Sequence, residues 1–145
     1  MKLEDIIREW ESDLEIDQSN IGNESSKIPK LHHKYYVMYL KEGYRIRQMR
    51  ADYKKFFEVK RDYYLCEMDP EDLKKYEWKP FQKKVLESQV NRYVESDNDI
   101  IDMTLKIGIQ EEKLKYLEAI LDMINKRGFQ IKNIIDWIKL SNGER

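Results

Sequence analysis

Between Lys34 and Arg61 the chain gathers nine cationic residues: Lys34, Lys41, Arg45, Arg47, Arg50, Lys54, Lys55, Lys60 and Arg61. Only Glu42, Asp52 and Glu58 oppose them. The same stretch, taken from Tyr35 to Cys66, is dense in tyrosine and phenylalanine. Cations neutralise phosphates and aromatic rings stack on unpaired bases, so this mixture has the chemistry to grip a single nucleic-acid strand. On a helix Arg47, Arg50, Lys54 and Arg61 share one face with Glu58, while Lys55 and Lys60 lie elsewhere around it. Tyr44, Phe57 and Tyr64 form a second apolar edge. The other reading is a solvated helix flank whose cations pair with acids of a neighbouring helix.

Other reactive side chains point to little chemistry. His32 and His33 are adjacent, so on a helix they diverge by about 100°, and no CxxC or HExxH accompanies them. No metal or other cofactor is expected. Cys66 is the single cysteine, which excludes an intrachain disulfide and points to a reduced, intracellular setting. It has no third group to orient a Cys–His pair. The glycines are isolated, so no phosphate-cradling loop exists. Paired carboxylates such as Glu71-Asp72 and Asp97/Asp99 abound, but none lies in a segment that forms a closed apolar pocket. An enzyme is not expected.

The chain must position these groups with helices. It has 145 residues, 38% of them charged, with five glycines and three prolines. Few breakers and much Glu, Lys, Leu and Ile predict an all-α protein. The formal net charge of −1 argues against a general polyanion binder, so the local gathering of cations matters more than the sum. No apolar run approaches the roughly 18 residues that span a membrane, and the acidic, amphipathic start is not a secretion signal.

Leu3, Ile6, Ile7, Trp10 and Leu14 make one apolar stripe on a short first helix that ends near Ile16. Its other faces are acidic, with eight acids against two bases over residues 1–24. This helix either docks its stripe on the core or lies near the cations and competes with an anionic ligand. Residues 17–29 read as a loop. A helix follows from about Lys30 to Glu67, with a coiled-coil-type seam of Tyr39, Ile46, Met49, Tyr53, Phe56 and Tyr63. Glu42 and Lys60 fall on that seam, and Gly43 weakens the helix by roughly 1 kcal/mol. At about 50 Å it needs a second long helix or another chain to cover the seam. Met68–Pro80 reads as a linker. The pattern resumes at Phe81, with Leu86, Tyr93, Ile100, Met103, Ile107, Leu114, Leu117, Leu121 and Ile124 in near-heptad register, interrupted near Ser96–Asp99 and at Gly108. Arg127-Gly128 is expected to end it through a left-handed glycine. A last helix from Phe129 to Leu140 carries Ile131, Ile134, Ile135 and Ile138 on one face, with Trp137 to one side and a frayed SNGER tail.

Three segments, in order, carry a resemblance. LEDIIREWESDLEID (residues 3–17) is similar to an opening of the form LED…D-x-x-ID. KRDYY (Lys60 to Tyr64) is similar to K-A-R-L-D-Y-Y, and INKRGFQIKNIIDW (Ile124 to Trp137) to I-K-x-RGF-x-IK-x-I-x-D. Together they resemble the UvsY recombination mediators of tailed bacteriophages. The resemblance implies a helical protein of the host-cell cytoplasm that binds single-stranded DNA and forms a ring-shaped homo-oligomer. It implies a mediator that loads a RecA-like recombinase onto strands coated by single-strand-binding protein, in recombination-dependent replication and repair. It further implies that residues 1–128 hold the DNA-binding region and residues 129–145 an oligomerisation helix, with Phe129, Ile131, Ile134, Ile135 and Ile138 at the interface. Basic residues before the Asp-Tyr-Tyr run are implied to touch DNA. The motif's two basic positions fall on Glu58 and Lys60, and Glu58 is a departure. Lys54 and Arg61 flank the Glu58 face, so the expected contacts are Lys54, Lys60 and Arg61, with Arg47, Arg50, Lys55 and Tyr64 beside them. The alternative is a structural coiled-coil oligomer without nucleic-acid function.

Overall fold

The computed structural model describes residues 1–143, and among them there are helices, one 3₁₀ turn and no strand. The helices are α1 (Leu3–Leu14), α2 (Ile21–Ser26), α3 (Ile28–Tyr64), α4 (Pro70–Tyr76), α5 (Val90–Glu95), α6 (Asn98–Asn125) and α7 (Arg127–Ser141). The fold is all-α, and α3 and α6 are its two long members. No helix among the described residues is long and apolar enough to cross a membrane. The chain divides into two compact units, Met1–Gly43 with Glu112 onward, and Tyr44–Glu111; α3 and α6 each supply part of both.

In the first unit α3 and α6 run antiparallel. The Tyr39 hydroxyl donates to Glu118 at 2.8 Å and the buried Lys113 donates to the buried Glu42 at 3.4 Å. The seam position that carries a carboxylate therefore faces a lysine, which ties the register of the two helices to a charge pair. The core is Ile6, Trp10, Tyr35, Leu117, Ile120 and Ile124, with Leu31, Met38 and Tyr116 packed around it. The helix α1 docks by its apolar stripe: Trp10 meets Tyr35 edge-on, ring centroids 5.4 Å apart. Its acidic side is used as well, since Lys34 donates to Glu9 at 2.7 Å and to Asp13 at 2.6 Å. Tyr35 donates to Asp13 at 2.7 Å.

The second unit is also built on an antiparallel pair, with Arg50 bonded to Glu111 and Lys60 to Asp99. Between these helices the chain folds back as α4, an irregular stretch and α5. Val85, Val90, Val94 and Ile100 form its core, packed by Tyr53, Phe56, Phe57, Tyr64, Leu65, Phe81 and Tyr93. Asp97 makes the corner between α5 and α6. One of its oxygens accepts the backbone N–H groups of Asp99 (2.9 Å) and Ile100 (3.3 Å), which caps the α6 N-terminus. The other accepts the Tyr64 hydroxyl at 2.6 Å and the Lys60 ammonium at 3.1 Å.

Several sequence expectations need correction. Residues 17–29 hold a 3₁₀ turn and α2, where a loop was expected. The linker 68–80 holds α4, with Pro70 in its first turn and Glu77 closing it at φ 60°. The seam expected from Phe81 is not helical before Val90, and Leu86 is exposed. Phe81 and Val85 instead fold over α3, which a heptad count cannot anticipate. Gly108 lies inside an unbroken α6. Gly128 does not end a helix: α6 stops at Asn125 and α7 begins at Arg127. The turn is made by Lys126 in the ordinary right-handed region. The cause lies in Arg127, which is buried and donates to the carbonyls of Leu14 (3.2 Å) and Glu15 (3.1 Å) and to Glu24 (3.3 Å). It thereby closes the C-terminus of α1 and pulls the start of α7 inward. Of the SNGER tail, Ser141 ends α7 and the last two residues lie outside the described residues.

Burial alone would raise the Asp97 pKa. The hydrogen bonds from Tyr64 and Lys60 and the Lys60 charge outweigh it and hold the carboxyl below its ordinary value. Such a group stabilises the fold above its unfolded pKa, about 3.9, and the contribution disappears as pH falls through the lower folded value. Asp97→Asn should lower urea stability at neutral pH by about 3 kcal/mol and make the acid-side loss of stability shallower. An acid limb as steep as the parent's would contradict this.

Candidate nucleic-acid interface

The cations of α3 between Arg47 and Arg61 separate into two populations. Arg47, Lys54 and Lys55 are exposed and enter no ion pair among the described residues. Tyr44, one turn before Arg47, is 68% exposed. By helical spacing Tyr44, Arg47, Ala51 and Lys54 form a row, with Lys55 beside it and the exposed Glu58 at its end. Two further cations are screened. Arg50 pairs with Glu111 at 3.0 Å, both side chains about half-exposed. Arg61 reaches the exposed Glu87 at 3.4 Å, while its Nε is buried and without a partner. Pairs of this kind near solvent contribute little to stability, so a polyanion competes with them readily.

Lys60 belongs to the other population, and its reading as a phosphate contact is corrected by its surroundings. It is only 4% exposed. Its ammonium lies 3.1 Å from Asp97, 2.9 Å from Asp99 and 3.9 Å from the centroid of the Trp78 ring. The rings of Phe56 and Tyr63 complete the enclosure at 5.6 and 5.8 Å. Tyr76 stacks on Trp78 at 4.5 Å and fixes it. Tyr64 is equally committed: its hydroxyl is held by Asp97 and its ring by Phe81 and Tyr93. Desolvation and the hydrogen bond to Asp97 raise the Tyr64 pKa strongly, so the phenol stays neutral. Lys60 and Tyr64 are therefore engaged in holding α3 to the rest of the second unit.

The three tyrosine-edge residues also part company. Phe57 and Tyr64 pack in the second unit's core, whereas Tyr44 stands in solvent. Only Phe57 and Tyr64 are a heptad apart; Tyr44, 13 residues before Phe57, lies about 140° away around the helix and does not share their edge. Trp78, at the end of the apparent linker, gave no periodic signal at all. His32 is stacked on Tyr36, ring centroids 5.9 Å apart.

The helix α7 divides in the same way. Ile131 is buried, and Ile134, Ile135 and Ile138 are half-buried within the first unit. The expected isoleucine interface is thus largely spent inside the chain. Its opposite side presents Phe129 (72% exposed), Trp137 (67%) and Leu140 (69%). These three lie at spacings of eight and three residues, close to one face. Of them only Phe129 was expected at an interface.

A family model described as "Recombination, repair and ssDNA binding protein UvsY" matches residues 9–144. The chain belongs to the UvsY family. Crystal structures of the bacteriophage T4 recombination mediator protein UvsY share its fold. One lattice form superposes with a TM-score of 0.83 at 21% identity, covering 97% of this chain and 99% of that one. Another gives 0.81 at 22% identity, covering 98% of each. No curated protein matches the sequence. The segments that resembled UvsY lie mainly at structural joints. The opening forms α1 and its exit, KRDYY places Lys60 and Tyr64 on Asp97, and the RGF segment places Arg127 at the end of α1.

Removing either kind of lysine should have unequal consequences. Lys60→Ala leaves two carboxylates facing aromatic rings and should cost about 3 kcal/mol in urea unfolding. Lys54→Ala should stay within about 0.5 kcal/mol of the parent. Equal, small effects of both substitutions would refute the division.

Proposed function

We propose that this chain is a recombination mediator that binds single-stranded DNA along the outward side of α3. The observation that carries this reading is the row of unpaired, exposed cations, Arg47, Lys54 and Lys55, with the exposed ring of Tyr44 at its head. Arg50 and Arg61 join on exchanging Glu111 and Glu87 for phosphates. Tyr44 stacks on a base, a contact that tolerates any sequence.

Three to five phosphate contacts from one protomer bind weakly. Each contributes roughly −0.7 to the dependence of log affinity on log salt for a single strand. Assembly of several protomers through Phe129, Trp137 and Leu140 of α7 multiplies the effective affinity without improving any contact. A ring of such faces holds a strand extended while single-strand-binding protein leaves and a RecA-like recombinase nucleates. The step needs binding energy alone. The second reading, a structural oligomer without nucleic-acid function, draws on the Arg50–Glu111 and Arg61–Glu87 pairs, which satisfy cations within the chain.

Fluorescence anisotropy with a labelled oligothymidylate separates the two. The triple variant Arg47→Ala, Lys54→Ala, Lys55→Ala should lose most affinity and lower the salt slope by about 2, with unchanged circular dichroism. A parent protein that ignores the strand at low salt would refute the proposal. For assembly, Phe129→Ser with Trp137→Ser should give a smaller mass by light scattering while the fold persists. A mass equal to the parent's would remove α7 from the interface.

A further inference from the structure

A second group of cations in the Tyr44–Glu111 unit was not singled out by the sequence. Lys83 lies between α4 and α5, and Arg92 and Tyr93 lie on α5. The Tyr93 ring is fixed from behind by Tyr64 (centroids 5.9 Å) and Phe81 (6.2 Å). The Lys83 ammonium sits over that ring, 5.4 Å from its centroid. The Lys83 ammonium, and after it the Arg92 charge, hold the Tyr93 hydroxyl below its ordinary pKa, and Arg92 adjoins Tyr93 on α5.

Neither cation has a carboxylate. Lys83 and Arg92 enter no ion pair among the described residues, and Glu87, the nearby acid of the same stretch, is taken by Arg61. Glu95, one turn along α5 from Arg92, is exposed and enters no ion pair among the described residues. Like charges gathered without a counter-ion repel each other, and an anion between them relieves that repulsion. A phosphate oxygen suits the arrangement, because it accepts charge-assisted hydrogen bonds from both cations and from the phenol O–H.

We propose that Lys83, Arg92 and Tyr93 form a second phosphate contact for a bound single strand, separate from the outward side of α3. This rests on the single-strand reading above and extends the strand's path onto the α4–α5 stretch.

The test uses the full chain and a labelled oligothymidylate, with anisotropy read across a salt series. Five proteins are compared: the parent, the Arg47/Lys54/Lys55 triple alanine variant, Lys83→Gln with Arg92→Gln, Tyr93→Phe, and a control, Lys2→Gln with Lys30→Gln. The control removes the same charge from exposed positions elsewhere. The Lys83/Arg92 variant should bind about tenfold more weakly and lose about 1.4 of salt slope, two contacts' worth, while the control stays within about twofold. Tyr93→Phe, which keeps both charges, should give a smaller loss in the same direction. If the Lys83/Arg92 variant matches the control while the α3 variant fails, this inference is overturned and the proposed function stands. If the parent itself does not bind, both fall. If inorganic phosphate displaces the strand from the parent but not from the Lys83/Arg92 variant at equal ionic strength, the contact is confirmed as a phosphate site. If phosphate protects Lys83 from acylation and the strand does not, the site takes free anions and the strand proposal is overturned.

Discussion

The second unit depends on one ammonium group held out of water. Transferring Lys60 from solvent costs several kcal/mol unless its charge is matched. Two carboxylates and the face of Trp78 match it. None of these partners is neighbouring in sequence, so their meeting defines how the chain folds back. Asp97 is the most heavily shared of them. It caps α6, accepts from Tyr64 and pairs with Lys60, which couples the end of α3, the α5–α6 corner and the aromatic cluster in a single network. Removing Lys60 leaves the largely buried Asp97 carboxylate without its counter-charge, which is the costly direction.

This arrangement also separates structure from binding along one helix. A cation that serves the fold is unavailable to a ligand, and Lys60 is one. Arg47, Lys54 and Lys55 are left in solvent. The first unit uses the same device with different residues. Arg127 and Glu24 form a buried pair that also closes α1, and Glu42 with Lys113 fixes the α3–α6 register there. Buried pairs of this type are weak as net stabilisers and strong as selectors of a particular pairing, because any other register strands a charge.

Much of the fold was legible in the sequence because long helices write their periodicity plainly. The long helix expected over about 30–67 and found over 28–64, the break near Ser96–Asp99, and a last helix expected over 129–140 and found over 127–141 followed from seam spacing and breakers. Even the awkward seam residues Glu42 and Lys60 were visible; what the sequence lacked was their partners. Lys113 and Asp97/Asp99 are distant in the chain, and only tertiary packing brings them in. The stretch 77–89 was misread for a related reason. Phe81, Leu86 and Tyr93 satisfy a heptad count, yet Pro80 and the burial of Trp78, Phe81 and Val85 against α3 favour an irregular path. The binding residues were half legible. Charge and spacing identified the cationic stretch, but periodicity assigns a residue to a side of a helix and does not say whether that side is later covered. Lys60 and Tyr64 were covered, Tyr44 was not, and α7 turned its isoleucines inward and left Phe129, Trp137 and Leu140 outside.

The division of α3 into fold-holding and strand-facing cations is tested most directly by lysine reactivity. The folded protein is acylated briefly with a water-soluble reagent, with and without an oligothymidylate, and each site is read by mass spectrometry. Lys54 and Lys55 should label freely in the protein alone and become protected by the strand, while Lys60 stays unlabelled in both. Free labelling of Lys60 that the strand suppresses, with Lys54 and Lys55 unchanged, would contradict the account.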